Sequence, residues 1–315
     1  QRETICLNSE LIYGLGRTAG VLAATMFGST VVMPQNLFEP KMVLEAITKH
    51  SCVVDAPSTS LFANPPHLLF EDMYTVQVTQ KRVVTGATCS PDLMEKIRTK
   101  LNAQILYILY GSSECSPVLS STNPDEPTDR WIATVGTPLP HVEVKVVDAE
   151  GRMVPVNTKG ELCTRGPHVF RGYLNDDAKT NEAIRENWYH TGDEVKMSED
   201  GRITFVGRIK EVISHIGVNV SPLEIENVLN THPDVEEAQV TAVPDEMVGE
   251  NICAWIILKP DKTLTQEDIK AFCQGKIHGF KIPKFVLFVD SFPRTSTGKV
   301  QKQKLRDESK RLLNL

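Results

Sequence analysis

Ile105-Leu106-Tyr107-Ile108-Leu109-Tyr110-Gly111-Ser112-Ser113-Glu114 carries six apolar or aromatic residues in a row, then a glycine and three polar residues. An unbroken run of this length, without alternation, predicts a strand buried on both faces of an α/β sheet. Its carboxyl end would present Gly111 to Glu114 at the sheet edge where ligands of open α/β sheets bind. A carboxylate there can hold a hard cation through oxygen while the cation bridges phosphates. Ser113 can donate its hydroxyl to a phosphate oxygen. In isolation the same residues also read as an ordinary polar turn.

Around this strand, residues 1–129 alternate apolar, strand-like runs with helical segments. Ser90-Pro91-Asp92 predicts a helix start, with serine as cap and proline at the first position. Residues 130–207 change character. The segment 142–147 alternates, and Gly151, Gly160, Gly166, Gly172 and Gly201 punctuate short strands, which predicts a β-rich, barrel-like subdomain. After Arg208 the pattern shifts again. Ser221-Pro222-Leu223-Glu224 reads as a capping box with proline opening the helix. Strands are expected at 240–243, 252–258 and 285–289, with a helix from Thr265. Residues 208–315 therefore read as a separate small α+β domain, with the boundary at 207–211. The fold class expected is α/β: part of a large domain over 1–207, then the small domain.

The bulk numbers exclude more than they assign. With 315 residues, 41% hydrophobic and 23% charged, the chain can bury one large core, or one large and one small. A net charge of −6 argues against general nucleic-acid binding, which needs a basic face. Seven cysteines, odd in number and without a C-x-x-C pair, disfavour a disulfide framework or zinc ribbon and favour a reducing compartment. No His or Cys cluster has metal-ligand spacing, so the eight histidines read as structural or surface residues. The apolar stretch 20–33 is too short and too rich in small residues to span a membrane. Gln1-Arg2-Glu3-Thr4 carries no initiator Met, signal peptide or transit pattern, so any targeting segment is expected upstream.

Four further segments follow Tyr110 to Glu114: Tyr189-His190-Thr191-Gly192-Asp193, Gly207-Arg208-Ile209-Lys210-Glu211, Ser221-Pro222-Leu223-Glu224-Ile225-Glu226, and Pro293-Arg294-Thr295-Ser296-Thr297-Gly298-Lys299. Alone, Asp193 reads as a turn residue, Arg208 and Lys210 as a solvated pair, and Lys299 as the start of a basic tail. The last segment is not a Walker loop, because Pro293 takes the first glycine position and Val300 follows the lysine. Together and in this order they resemble the adenylate-forming superfamily of acyl-CoA synthetases, luciferases and peptide-synthetase adenylation domains. The resemblance is strongest to the mitochondrial medium-chain acyl-CoA synthetases. It runs through Leu15-Gly16 with Ala19-Gly20, Ile269-Lys270-Ala271-Phe272-Cys273 with Gly275-Lys276-Ile277, Phe280-Lys281-Ile282-Pro283-Lys284, and Leu313-Asn314-Leu315.

The resemblance implies a two-step reaction on a fatty acid, with ATP, Mg²⁺ and CoA. An acyl-adenylate and pyrophosphate form first; the CoA thiol, itself a good nucleophile, then displaces AMP without a covalent enzyme residue. It implies roles residue by residue. Glu114 would hold the metal and Ser113 a phosphate, with serine where the family usually has threonine. Tyr110, Gly111, Gly86 and Ala87 would frame the nucleotide, although no proline directly follows Gly86-Ala87-Thr88. Asp193 would accept the ribose hydroxyls and Arg208 would contact ribose or phosphate. Lys210 would be the hinge of a mobile small domain. Lys299 would stabilise charge developing between carboxylate and α-phosphate. Gly217 would line the pantetheine tunnel, with Ile216 where the family pairs glycines. Tyr13 falls where relatives carry His or another aromatic residue near the acyl pocket.

The resemblance also places a Ser/Thr/Gly-rich phosphate loop ending in Pro-Lys upstream of residues 1–20. The chain therefore reads as a fragment of a longer enzyme, unable to adenylate well alone, and the implied compartment is the mitochondrial matrix. Three other readings remain open: an enzyme for another acid, of aryl-acid or luciferase-like type; an adenylation domain serving a carrier protein; and a non-catalytic nucleotide- or acyl-binding derivative.

Overall fold

The computed structural model describes residues 3–7, 11, 14–34, 40–52, 54–55, 81–85, 105–123, 134–245, 247–295 and 299–313. The chain divides into two compact units, 1–191 with 195–205, and 192–194 with 206–315.

In the first unit, β1 (Thr4–Cys6), β2 (Thr30–Val32), β3 (Val54–Asp55), β4 (Lys81–Thr85), β5 (Ile105–Tyr110), β6 (Ser120–Ser121) and β7 (Thr137–Pro138) lie in the order β2-β1-β3-β4-β5-β6-β7. From β2 to β5 the pairing is parallel; β6 and β7 run antiparallel to their neighbours. β5 is the apolar run on which the fold reading began, and it closes the parallel part of the sheet. Helix α1 (Ala23–Phe27) stops at Gly28, whose φ of 66° is the left-handed cap a glycine adopts without Cβ strain. Helix α2 (Pro40–His50) buries Val43 and Ile47, one turn apart on one face.

A second sheet contains β8 (Glu143–Val147), β9 (Gly160–Arg165), β10 (Ile184–Arg185), β11 (Trp188–Met197) and β12 (Ile203–Arg208), in the order β10-β11-β9-β8 with β12 also against β11. Helix α3 (Asp177–Ala183) precedes β10. Among the described residues no strand ladder joins β8 to β10 directly, but the chain bridges onward from the free edge of β8: the Val154 N–H donates to the Val146 carbonyl at 3.0 Å, and the Asn157 N–H donates to the Met197 carbonyl at the end of β11 at 2.7 Å. β10 is only two residues long and has little edge to offer. Val146, Leu162, Tyr189, Val195 and Ile203 from this sheet share one core with Cys115 and Leu119. The turn after β5 is thus seated on that core.

The second unit is built around β13 (Ile213–His215), β14 (Val218–Val220), β15 (Val235–Asp245), β16 (Gly249–Leu258) and β17 (Phe285–Phe288), with helices α4 (Pro222–Leu229), α5 (Gln266–Cys273) and α6 (Lys302–Leu313). β15 pairs with β16 along its length. The other edge of β16 is shared by β13, antiparallel at its start, and β17, parallel at 253–256. Alternation along β16 fills two cores. Ile252, Ala254 and Ile256 pack with Ile225 and Leu229 of α4 and Ile269 and Cys273 of α5. Cys253 and Trp255 face Phe292 and Leu305 of α6. The Trp255 Nε1–H donates to Ser309 Oγ at 2.8 Å inside that second core. Each buried Ile contributes about 1.5–3 kcal/mol through area removed from water.

Two local readings change. β15 is longer than its apolar run, because its register shifts between Val235 and Glu237, Glu237 and Gln239 lie on the face opposite Ala238 and Val240, and Pro244 is tolerated on the outer strand. Proline does open α4 after Ser221, but the capping box does not form. The Ser221 hydroxyl donates to the Val206 carbonyl at 2.8 Å, the Glu224 N–H meets the Ser221 backbone carbonyl at 3.3 Å rather than the side chain, and the Glu224 carboxylate pairs with Lys281 at 2.6 Å. The capping box lies at α5: Thr265 Oγ1 accepts the Asp268 N–H, and the Asp268 carboxylate accepts the Thr265 N–H at 2.8 Å. Among the described residues no helix is long and apolar enough to cross a membrane.

Candidate functional site

β5 ends at Tyr110, and the chain makes a tight exit. A Cβ at Gly111 would stand 2.2 Å from the Pro117 carbonyl oxygen, so only glycine lets the two backbone segments touch. Ser112 is extended, and Ser113, Glu114 and Cys115 form one 3₁₀ turn with Cys115 buried beneath it. The Tyr173 hydroxyl donates to Glu114 Oε1 at 3.0 Å, and the Phe170 N–H donates to the Glu114 carbonyl at 2.8 Å. Tyr189 hydrogen-bonds the Ser112 side chain. Phe170 packs edge-on against both tyrosines, with ring centroids 4.9 and 5.7 Å away. Burial, then the Glu114 carboxylate, pushes the Tyr173 phenol up to about 12, so it remains a donor at neutral pH. The turn thus offers an exposed Ser113 hydroxyl and a half-buried carboxylate. An all-oxygen set of this kind suits a hard cation such as Mg²⁺.

Tyr173 was missed by the sequence reading. Gly172, with φ 150°, sets its approach, and its N–H is tied to Thr180 Oγ1 of α3 at 2.9 Å. The signal was faint: one aromatic residue after a glycine, far along the chain from Glu114.

In the second unit, Asp193 is 9% exposed and follows Gly192, whose φ is +71°. Arg208 Nε lies 3.5 Å from Asp193 Oδ1, while the arginine side chain is 61% exposed. These two expected nucleotide contacts therefore stand side by side. Lys210 sits exposed in the 3₁₀ turn Ile209–Glu211. Ile216 and Gly217 form the tip of the β13–β14 hairpin, both left-handed at φ +52° and +71°. Lys299 is exposed and closes a loop: its carbonyl accepts the Thr295 N–H at 2.8 Å, and its own N–H donates to Thr295 Oγ1 at 3.2 Å. Tyr13, Gly86, Ala87 and the helix start at Ser90 lie outside the described residues, as do Ser296 to Gly298.

One cluster escaped the sequence spacing. Glu161 and Cys163 share a face of β9, and His190 of β11 meets them. Its Nδ1 is 2.7 Å from Glu161 Oε2 and 3.3 Å from Cys163 Sγ, while Nε2 is 3.8 Å from the same sulfur. A sulfur so nearly equidistant from both ring nitrogens lies along the lone pair of neither, which a shared metal would require. Burial, then Glu161, pushes the Cys163 thiol up to about 12, which marks an inert thiol. The cluster stitches β9 to β11 just ahead of Asp193.

A largely parallel sheet in the first unit and a separate α+β second unit match the fold of the adenylate-forming family. The chain belongs to the AMP-binding enzyme family: the family profile matches residues 1–174, and that of the AMP-binding enzyme C-terminal domain matches residues 224–299. It is similar to the mitochondrial medium-chain acyl-CoA ligase ACSF2 of Homo sapiens, 38% identical over 311 residues that make up 98% of this chain and 51% of that one. The putative acyl-CoA synthetase YngI of Bacillus subtilis (strain 168) is 36% identical over 316 residues, 100% of this chain and 57% of that one. The crystal structure of ATP-bound MatB from Rhodopseudomonas palustris matches with a TM-score of 0.90 and 25% identity, across 99% of this chain and 61% of that one. The chain spans about half the length of the curated relatives it matches.

Proposed function

We propose that the protein carrying this chain is an ATP-dependent, AMP-forming fatty acid–CoA ligase that prefers medium-chain acids and works in mitochondria. Similarity to relatives named acyl-CoA ligase or synthetase supports the reaction class, and similarity to the mitochondrial medium-chain ligase supports the finer reading. The observation that carries it is Glu114, held by Tyr173 in the turn that follows β5.

In this reading residues 1–207 are the later part of the nucleotide-binding large domain, and 208–315 the small mobile domain. Glu114 would hold Mg²⁺, which when bound neutralises phosphate charge, and Ser113 would donate to a phosphate oxygen. Asp193 takes the ribose hydroxyls, with Arg208 beside it to contact ribose or phosphate. Lys299 brings a compact positive charge to the carboxylate and α-phosphate as they react, which is electrostatic stabilisation and not base catalysis. Lys210 is the hinge between the two half-reactions. Gly217 and Ile216 stand at the CoA-facing hairpin. Gly86, Ala87, Tyr110 and Gly111 frame the nucleotide and Tyr13 the acyl pocket, by resemblance alone.

The test uses the full protein with ATP, Mg²⁺, CoA and a ladder of fatty acids, reading acyl-CoA and AMP by mass spectrometry. Acyl-CoA peaking at medium chains is the expected result, and Lys299→Ala should lower acyl-adenylate formation by about 10²–10³-fold. Ile216, a branched residue at φ +52°, motivates one competing reading: a non-catalytic nucleotide- or acyl-binding derivative. There, no acid would turn over and Lys299→Ala would leave ligand binding nearly unchanged.

A further inference from the structure

Lys302 opens α6 three residues after Lys299, and its ammonium is fastened between two carboxylates. Nζ lies 2.8 Å from Glu226 Oε1 and 3.0 Å from Glu211 Oε2. Glu226 is 6% exposed in α4, and the same oxygen accepts the Val240 N–H of β15 at 2.7 Å. Glu211 ends the turn that contains Lys210. One side chain thus joins the turn, α4 and α6.

The neck of the Lys299 loop is closed beside it. Besides the Thr295–Lys299 bond, the Gln301 N–H donates to the Pro293 carbonyl at 2.8 Å and Gln301 Nε2 donates to the Arg294 carbonyl at 2.6 Å. Arg294 and Val300 pair across the neck. Lys302 therefore connects the neck of that loop to Glu211, 91 residues upstream.

Burial works against the Lys302 ammonium, but Glu226 and Glu211 outweigh it and hold its pKa above the ordinary lysine value. Stability alone does not explain such a group. Replacing a buried ion cluster by apolar residues of similar volume is often neutral or favourable. What the cluster supplies is fixed geometry between segments distant in sequence.

We propose that Lys302 is a positioning residue that fastens the Glu211 end of the Lys210 turn to the neck of the Lys299 loop. This rests on the reading of Lys210 as hinge and Lys299 as the adenylation lysine. With Glu211 anchored, the dihedral change of the hinge stops at Lys210. The Lys299 loop then travels as one piece with α4 and α6.

The experiment compares Lys302→Met and Glu211→Leu in the full protein by amide hydrogen exchange and by single-turnover acyl-adenylate formation. Exchange in 210–212 and in 299–301 should rise together, by about tenfold, in either variant, with β16 unchanged. Acyl-adenylate formation should slow by about tenfold or more, with the KM for ATP within roughly twofold, since positioning and not binding is lost. The double variant should be no worse than Lys302→Met alone, because that substitution already removes the contact that Glu211→Leu removes. Loosening of only one segment, or effects that multiply, would overturn the proposal. If Lys302→Met does not fold, Glu211→Leu at the partly exposed end carries the same comparison. A wild-type protein that turns over no acid would sink the ligase reading, while the exchange pattern would still decide the coupling.

Discussion

The Tyr173 hydroxyl reaches Glu114 from 59 residues away and donates to its carboxylate at 3.0 Å. This contact aims the carboxylate that the proposed function assigns to the metal. Tyr173→Phe keeps the ring packing against Phe170 and removes only the donor. Tyr173 is 36% exposed, so water partly replaces the lost bond. The kcat/KM for ATP should fall about fivefold, near 1 kcal/mol, with the melting temperature little changed. A large drop in melting temperature with unchanged kinetics would make the contact structural only.

Gly111→Ala should fail for a reason unrelated to nucleotide. The new Cβ meets the Pro117 carbonyl oxygen at 2.2 Å and the Leu119 nitrogen at 3.0 Å, both backbone atoms. A loss of about 3 kcal/mol or more in denaturant unfolding is expected, since neither atom can swing aside as a flexible side chain would. An unchanged midpoint would mean that the strand exit has slack.

Ile216→Gly should stabilise the second unit. Isoleucine at φ +52° strains its Cβ against the backbone, and its side chain is 58% exposed, so little burial is given up. Strain relief of about 1–2 kcal/mol, less roughly 0.5–1 for the extra freedom of glycine in the unfolded chain, leaves a net gain between zero and about 1.5 kcal/mol. Calorimetry of the pair checks it; a lower melting temperature for the glycine variant would show that Ile216 packs usefully.

The α5 cap sets an acid limit. The Thr265 backbone N–H, then its hydroxyl, holds the Asp268 carboxyl below its ordinary value of 3.8. A depressed carboxyl contributes its stability above the unfolded value and loses it as pH falls through the folded one. Unfolding midpoints followed by circular dichroism should therefore drop below pH 3.8, and Asp268→Asn should flatten that drop. An Asn variant with the same acid profile would remove Asp268 from the account.

Much of this was legible in the chain. The run 105–110 announced β5, and Asp193 and Arg208 stood in recognisable company. What the sequence hid depended on partners far away. Ser221 has the residues of a capping box, but its hydroxyl is turned to donate to the Val206 carbonyl, and the Glu224 N–H meets the Ser221 backbone carbonyl at 3.3 Å in place of the side-chain oxygen. Glu161, Cys163 and His190 look unrelated until β9 and β11 lie side by side. Tyr173 has no local pattern at all, and only the folded sheet brings it to Glu114. The full length of β15 was masked because polar residues, Glu237 and Gln239, and a register irregularity after Val235 interrupt its apolar pattern.

The indole of Trp255 shares an apolar core with Leu305 of α6 and donates one hydrogen bond to Ser309 of the same helix. Its emission should therefore lie toward the blue while that helix is seated and move to the red when it detaches. With Trp131 and Trp188 replaced by phenylalanine, the molecule carries its own optical gauge of whether the helix that Lys302 begins is docked, readable in a stopped-flow cuvette without attaching a dye.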